Sequence, residues 1–285
     1  MLKQRVITAL VLLLILLPAM FYHSAGPFCG LVLVLTGAGA WEWARLNGYG
    51  SGVAVLSGLA CVVVSVTSWS LGLLVQALPL LWLVVGAAWV LLGGWALQRG
   101  VAAWAGLPRW LRLLAGLLAL CLAWLALAQA RVIGVNFLLS ILALVWVADI
   151  SAYFAGRTLG GRFSRNKLAP SISPGKSWEG VWGGMLGVVV LALVWRWADG
   201  AWAVTVPSWY TQLGQHGWGL MLMAAVFMAA MSVVGDLFES LVKRSAGVKD
   251  SSALLPGHGG VLDRIDALLP TLPLALMLYS IGMPG

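Results

Sequence analysis

Three groups of polar side chains interrupt an otherwise apolar chain, and each carries carboxylates. Asp149, Tyr153, Gly156 and Arg157 fall on one helical stripe; Ser232, Asp236, Glu239 and Lys243, at steps of four, three and four, fall on another. Asp263, Arg264 and Asp266 follow Gly259 and Gly260 and precede an apolar run. Taken singly, each has a structural reading: an Asp149–Arg157 ion pair along one helix face, and helix caps or dipole partners at Asp263 and Asp266. Taken together, they offer hard oxygen donors among lysines and arginines. That composition suits a Mg²⁺ site for a phosphorylated ligand.

Lys167, Lys176, Lys243, Arg244, Lys249 and Arg264 could neutralise the phosphates of such a ligand. Retention of positive loops beside anionic lipid is the competing explanation. His258, set between glycines, reads either as a substrate contact or as loop structure, because transfer to an ionised phosphate needs no general base. Cys29, Cys61 and Cys121 lie in apolar stretches without metal-ligand spacing and read as small apolar fillers.

These groups need elements to hold them, and composition says which. Of the 285 residues 61% are apolar and 9% charged, too few charges to hydrate the surface of a soluble enzyme. The expected fold is all-α and polytopic, with about nine transmembrane helices. The spans are expected near 6–22, 27–46, 52–70, 71–97, 111–130, 135–156, 178–198, 218–239 and 266–283, the break at Ser68–Gly72 being the weakest. The first is expected to be an uncleaved helix rather than a signal peptide.

With a cytoplasmic N-terminus, alternation places every Lys and Arg except Arg131 and Arg196 on the cytoplasmic side. The net charge of +8 is therefore read as membrane orientation, with no nucleic acid as partner. The expected location is a bacterial-type cytoplasmic (inner) membrane, crossed many times, with the active site facing the cytoplasm. Residues 1–134 read as a scaffold of about five helices. Residues 135–285 read as the catalytic region, with site loops at 157–177 and 240–265. Glu42 is the only acidic residue before Asp149, so the chemistry is expected after residue 140. Gly180, Gly183, Gly184 and Gly187 form a small-residue packing face, and Trp41, Trp43, Trp178, Trp209 and Trp218 an aromatic belt.

The segment SLVKRSAGVKDSSALLPGHGGVLDRID at 240–266 resembles the signature of the phosphatidate cytidylyltransferases, or CDP-diglyceride synthases. WVADISAYFAGRTLGGRFSRNKLAPSISPGKSWEGVWGG at 146–184 and GDLFES at 235–240 are similar to that family's other motifs, with WEWARL at 41–46 a fainter echo. The resemblance implies that CTP and phosphatidic acid give CDP-diacylglycerol and pyrophosphate at the membrane bilayer. It further implies a requirement for Mg²⁺, with Asp236 and Asp263 as ligands and a second cation as an extension. On these motifs the candidate catalytic carboxylates are Asp149, Asp236, Asp263 and Asp266. The substrate-binding candidates are Arg157, Lys167, Ser173, Lys176, Glu239, Lys243, Arg244, Lys249, His258, Gly259, Gly260 and Arg264. Position 175 is Gly where many members carry a second Lys, which shifts phosphate contact onto Lys176.

Two alternatives stand beside this reading: a cation-coupled transporter, and a related CTP-dependent enzyme acting on another lipid. The carboxylates gather toward one membrane face and no repeat is visible, which disfavours the transporter. A homodimer is kept as an alternative to a monomer.

Overall fold

The computed structural model describes residues 2–164 and 166–281. Arg165 and the last positions of the ninth expected span lie outside the described residues. Among the described residues, eight helices are long and apolar enough to cross a membrane, and a shorter apolar stretch, Val6–Phe21, precedes them. The count agrees with the all-α polytopic expectation. In order these are α1 (Leu2–Phe21), α2 (Gly26–Leu46), α3 (Ser51–Ser70), and α4 (Pro79–Ala88) running through a π turn into α5 (Gly94–Gly106). There follow α6 (Arg109–Ile133), α7 (Val135–Leu159), α8 (Trp178–Ala201), the short α9 (Trp209–Gly214), α10 (Trp218–Ser245), the single turn α11 (Leu262–Ile265) and α12 (Leu268–Ile281).

One boundary differs from expectation. The fourth span begins at Pro79 rather than 71 and runs to Gly106. Gly72 adopts φ +75° beyond the end of α3, and Pro79 opens the next helix where an N–H has no partner to lose. Unwound backbone that packs against other helices needs partners for its polar groups. Gln129 of α6 supplies them, its Nε2 donating to the Leu73 and Gln76 carbonyls at 2.6 and 2.9 Å while its Oε1 accepts from Trp82 Nε1 at 3.0 Å.

The helices that carry the polar stripes are set by close contacts. A Cβ on Gly183 would run into the Ala155 side chain, and one on Gly187 into Ser151, so α7 and α8 touch backbone to backbone as the small-residue face predicts. A Cβ on Gly235 would lie 2.6 Å from the Asp266 carbonyl oxygen, so α10 packs directly on the bend between α11 and α12. Behind that contact, Phe238 stacks on Trp43 and meets Trp89 and Trp104 edge-on.

Trp43 and Trp209 correct the expected belt. Both are buried, donating Nε1 to the Arg112 and Ala275 carbonyls, whereas Trp178 and Trp218 are exposed at helix starts. Helices α7 and α10 also run further than expected, so the site loops occupy 160–177 and 246–261. They meet at one end of the bundle, where Arg244 Nε donates to the Ile172 carbonyl at 3.3 Å. At the far end, Arg131 donates to the Tyr22 carbonyl and Asp199 accepts from Asn136, Ser208 and Thr211.

Candidate active site

A cavity of about 370 Å³ opens where α7, the start of α8, α10 and the 160–177 loop converge. Asp149, Tyr153, Arg157, Lys176, Ser177 and Asp236 line it. The α7 stripe therefore lines this space, whereas Asp236 is the member of the α10 stripe that does. The ion pair weighed for Asp149 is not formed: Arg157 donates to the Tyr153 hydroxyl at 2.7 Å, its guanidinium 6.0 Å from that ring. Asp149 is left with no salt bridge among the described residues.

Two lysines hold the remaining carboxylates. Lys176 Nζ lies 2.5 Å from Asp236 Oδ2, and Ser240 Oγ approaches Asp236 Oδ1 at 3.4 Å. Lys243 Nζ lies 2.5 Å from Glu239 Oε2 and 2.6 Å from Asp263 Oδ1. Asp263 Oδ2 accepts from the Ser251 hydroxyl, the Ser251 N–H and the Gly260 N–H at 2.9, 2.9 and 2.7 Å. Asp266 Oδ1 caps the Ala267 N–H at 2.8 Å, and the group is close enough to Asp236 and Asp149 to feel their charge. Asp263 stands in the first turn of α11 without capping it, its bonds going to Ser251, Gly260 and Lys243, and Asp266 bonds only the N–H of the next residue.

The other candidates divide. Lys167 Nζ donates to the Pro174 carbonyl at 2.6 Å, and Ser173 closes a turn onto Ala169, so both shape the loop that presents Lys176. Arg264 donates to the His258 carbonyl at 2.9 Å, while His258 Nδ1 is buried without a partner. Gly259, at φ +82°, turns its carbonyl toward the Leu255 N–H, which donates at 2.8 Å. Arg244 spans both loops through Ile172 and Val248, and Lys249 is exposed.

Two carboxylates escaped the sequence reading. Glu179, buried in the first turn of α8, accepts from the Phe163 and Ser164 N–H groups at 3.1 and 2.8 Å and so anchors the 160–177 loop. Glu42, on α2, is fully buried, with four donors of residues 251–262 within hydrogen-bond distance, the Ser251 hydroxyl being shared with Asp263. The expectation that the chemistry-bearing residues all follow 140 thus omits a carboxylate bonded to the site loop. A signal was present, since a lone ionisable residue in an apolar span rarely lacks a partner.

Asp149, Asp236, Glu239, Asp263 and Asp266 outnumber Arg157, Lys176 and Lys243, so formal negative charge is in excess here. Hard oxygen donors with surplus negative charge fit a Mg²⁺-like cation. Among the described residues no three such side chains converge tightly enough to hold a metal unaided. Mg²⁺ commonly uses one or two carboxylates and completes its shell with water and substrate phosphates, and this donor set fits that mode.

Comparison with known proteins gives a single family. The profile of the cytidylyltransferase family matches residues 3–282. A phosphatidate cytidylyltransferase of Pseudomonas aeruginosa is 41% identical across 99% of this chain and 98% of its own length. One from Brucella abortus is 36% identical across 99% of this chain and 93% of its own. One from Haemophilus influenzae is 47% identical across 51% of this chain and 46% of its own.

Proposed function

The chain belongs to the cytidylyltransferase family, and from that premise we propose that it joins CTP to phosphatidic acid, giving CDP-diacylglycerol and pyrophosphate. The observation that carries this reading is the Lys176–Asp236 pair at the wall of a cavity between loops and spans. A soluble triphosphate reaches such a cavity from the loop side. A lipid phosphate reaches it sideways, past the exposed faces of Tyr153 and Trp182. The lipid phosphate oxygen attacks the α-phosphorus of CTP in line, and the bond to pyrophosphate breaks as the new P–O bond forms. Lys176 and Lys243 offset charge on the phosphates, and Arg157 orients the lipid headgroup.

Mg²⁺ would be held by Asp236 and Asp263, with Asp149 and Asp266 at hand for a second cation. When bound it would supply charge neutralisation on the transferring and leaving phosphates. The charge asymmetry of the loops supports a cytoplasmic site in the inner membrane, where CTP is available.

The test is product formation by the purified protein. CTP, phosphatidic acid and Mg²⁺ should yield CDP-diacylglycerol with stoichiometric pyrophosphate, and polyprenyl phosphate offered as acceptor should not substitute. No product with several divalent cations, or preference for the other lipid, rejects the proposal.

A further inference from the structure

We infer that Glu42 is a positioning residue of the reaction, seating Asp263 through Ser251 and tying the N-terminal half of the chain to the site; the inference rests on the cytidylyl transfer proposed above. Glu42 Oε1 accepts from the Ser252 hydroxyl at 2.5 Å and the Val261 N–H at 2.9 Å. Its Oε2 accepts from the Leu262 N–H at 2.8 Å and lies 3.1 Å from the Ser251 hydroxyl. No Lys or Arg forms an ion pair with it among the described residues.

A fully buried carboxylate without a counter-ion is unfavourable unless several hydrogen bonds meet it. An apolar side chain would pack α2 at this point without that penalty, so the charge is explained by what it holds. It holds the backbone and hydroxyls around Asp263. The Ser251 hydroxyl lies within hydrogen-bond distance of Glu42 Oε2 and, at 2.9 Å, of Asp263 Oδ2, and its one proton serves a single carboxylate at a time. With Oδ2 seated by Ser251 and Gly260, Asp263 turns Oδ1 toward Lys243. Gly260 lies between the two acids, where a Cβ would run into both the Ser251 hydroxyl and the Glu42 carboxylate. Helix α1 adds a second tie, Thr8 Oγ1 donating to the Pro256 carbonyl at 3.0 Å.

The test uses the full chain in lipid nanodiscs, with Glu42→Gln, Glu42→Asp and Ser251→Ala. Thr36→Ala, whose hydroxyl bonds only within α2, serves as control. Glu42→Gln keeps the shape but puts an amide donor where donors already point. Three results are expected for it: faster amide exchange across 250–262 with α2 still protected, kcat lower by about 10-fold, and KM for CTP changed less than kcat, as for loss of about one charge-assisted hydrogen bond. Glu42→Asp should recover part of the rate, and Glu42→Gln with Ser251→Ala should lose no more than the worse single variant. Thr36→Ala should match the wild type.

Unchanged exchange of the loop in Glu42→Gln overturns the inference whatever the substrate. So do losses that follow only the melting temperature and the amount of folded protein, or effects of Glu42 and Ser251 that add in full. If Glu42→Gln does not fold, Ser251→Ala decides by the same exchange and kcat readings. A wild-type protein that makes no CDP-diacylglycerol rejects the proposed reaction instead, and Glu42 then has no reaction to serve, so the positioning role falls with it while loop exchange still reports the tie.

Discussion

Lys176 Nζ lies 2.5 Å from Asp236 Oδ2, closing the cavity between the 160–177 loop and α10. Each group offsets the charge of the other. Under the proposed reaction each has a second partner, a phosphate for the lysine and a cation for the carboxylate. A pair that exchanges partners in this way contributes to turnover as a unit.

Asp236→Asn and Lys176→Gln should therefore each lower kcat by about 10²-fold or more, the scale for removing one charge-stabilising group from such a site. The double variant should fall close to the worse single, because effects of residues acting as a unit do not add. Steady-state CDP-diacylglycerol formation checks this, with size-exclusion profiles showing that each variant remains folded. Independent, fully additive losses would separate the two roles.

Chelation of divalent cations should stop turnover and added Mg²⁺ should restore it. Asp263→Asn should abolish turnover at limiting Mg²⁺ while the protein stays inserted and folded. A Mg²⁺ titration of the rate is the measurement. A wild-type dependence in Asp263→Asn would confine Asp263 to seating the 246–261 loop, a role its bonds to Ser251 and Gly260 already give it.

How much was legible beforehand follows the physics of each element. Apolar runs of spanning length are local properties, so the helices could be read from the chain. The stripes on α7 and α10 were legible because helical spacing alone puts Asp149 and Asp236 on defined faces. Pairings were not, since Arg157 turned to Tyr153 rather than Asp149, and that depends on which groups tertiary packing brings near. Glu42 carried a signal, as a lone acid in an apolar span, but its partners, more than 200 positions away, could not be named from the chain. The unwound stretch before Pro79 was missed because its carbonyls are satisfied by Gln129, from another helix.

Glu179→Gln should loosen the loop that presents Lys176. Its carboxylate gathers the Phe163 and Ser164 N–H groups on one oxygen, and an amide oxygen in its place still accepts but without the charge that strengthens both bonds. The expected result is faster amide exchange at 161–168 and a KM for CTP raised about 10-fold, equivalent to about 1.4 kcal/mol. Unaltered exchange would show that the loop is held by its other contacts, such as Lys167 to Pro174.

Arg157 and Tyr153 give a prediction that separates the two substrates. Tyr153 is 58% exposed and stands at the cavity wall on the face that α7 turns outward, with Arg157 bonded to its hydroxyl. Under the proposed reaction, a lipid phosphate entering sideways would meet this pair before Lys176, whereas CTP entering from the loops would not. Arg157→Ala removes the guanidinium; Tyr153→Phe keeps the guanidinium and removes only the hydroxyl that aims it. Both should raise KM for phosphatidic acid more than KM for CTP, Arg157→Ala by about 10-fold or more and Tyr153→Phe by less, in keeping with a hydrogen bond to a charged group. Kinetics with each substrate varied in mixed micelles would measure both constants. Equal rises for CTP and lipid would place Arg157 on the nucleotide side of the cavity and move the lipid's entrance away from α7.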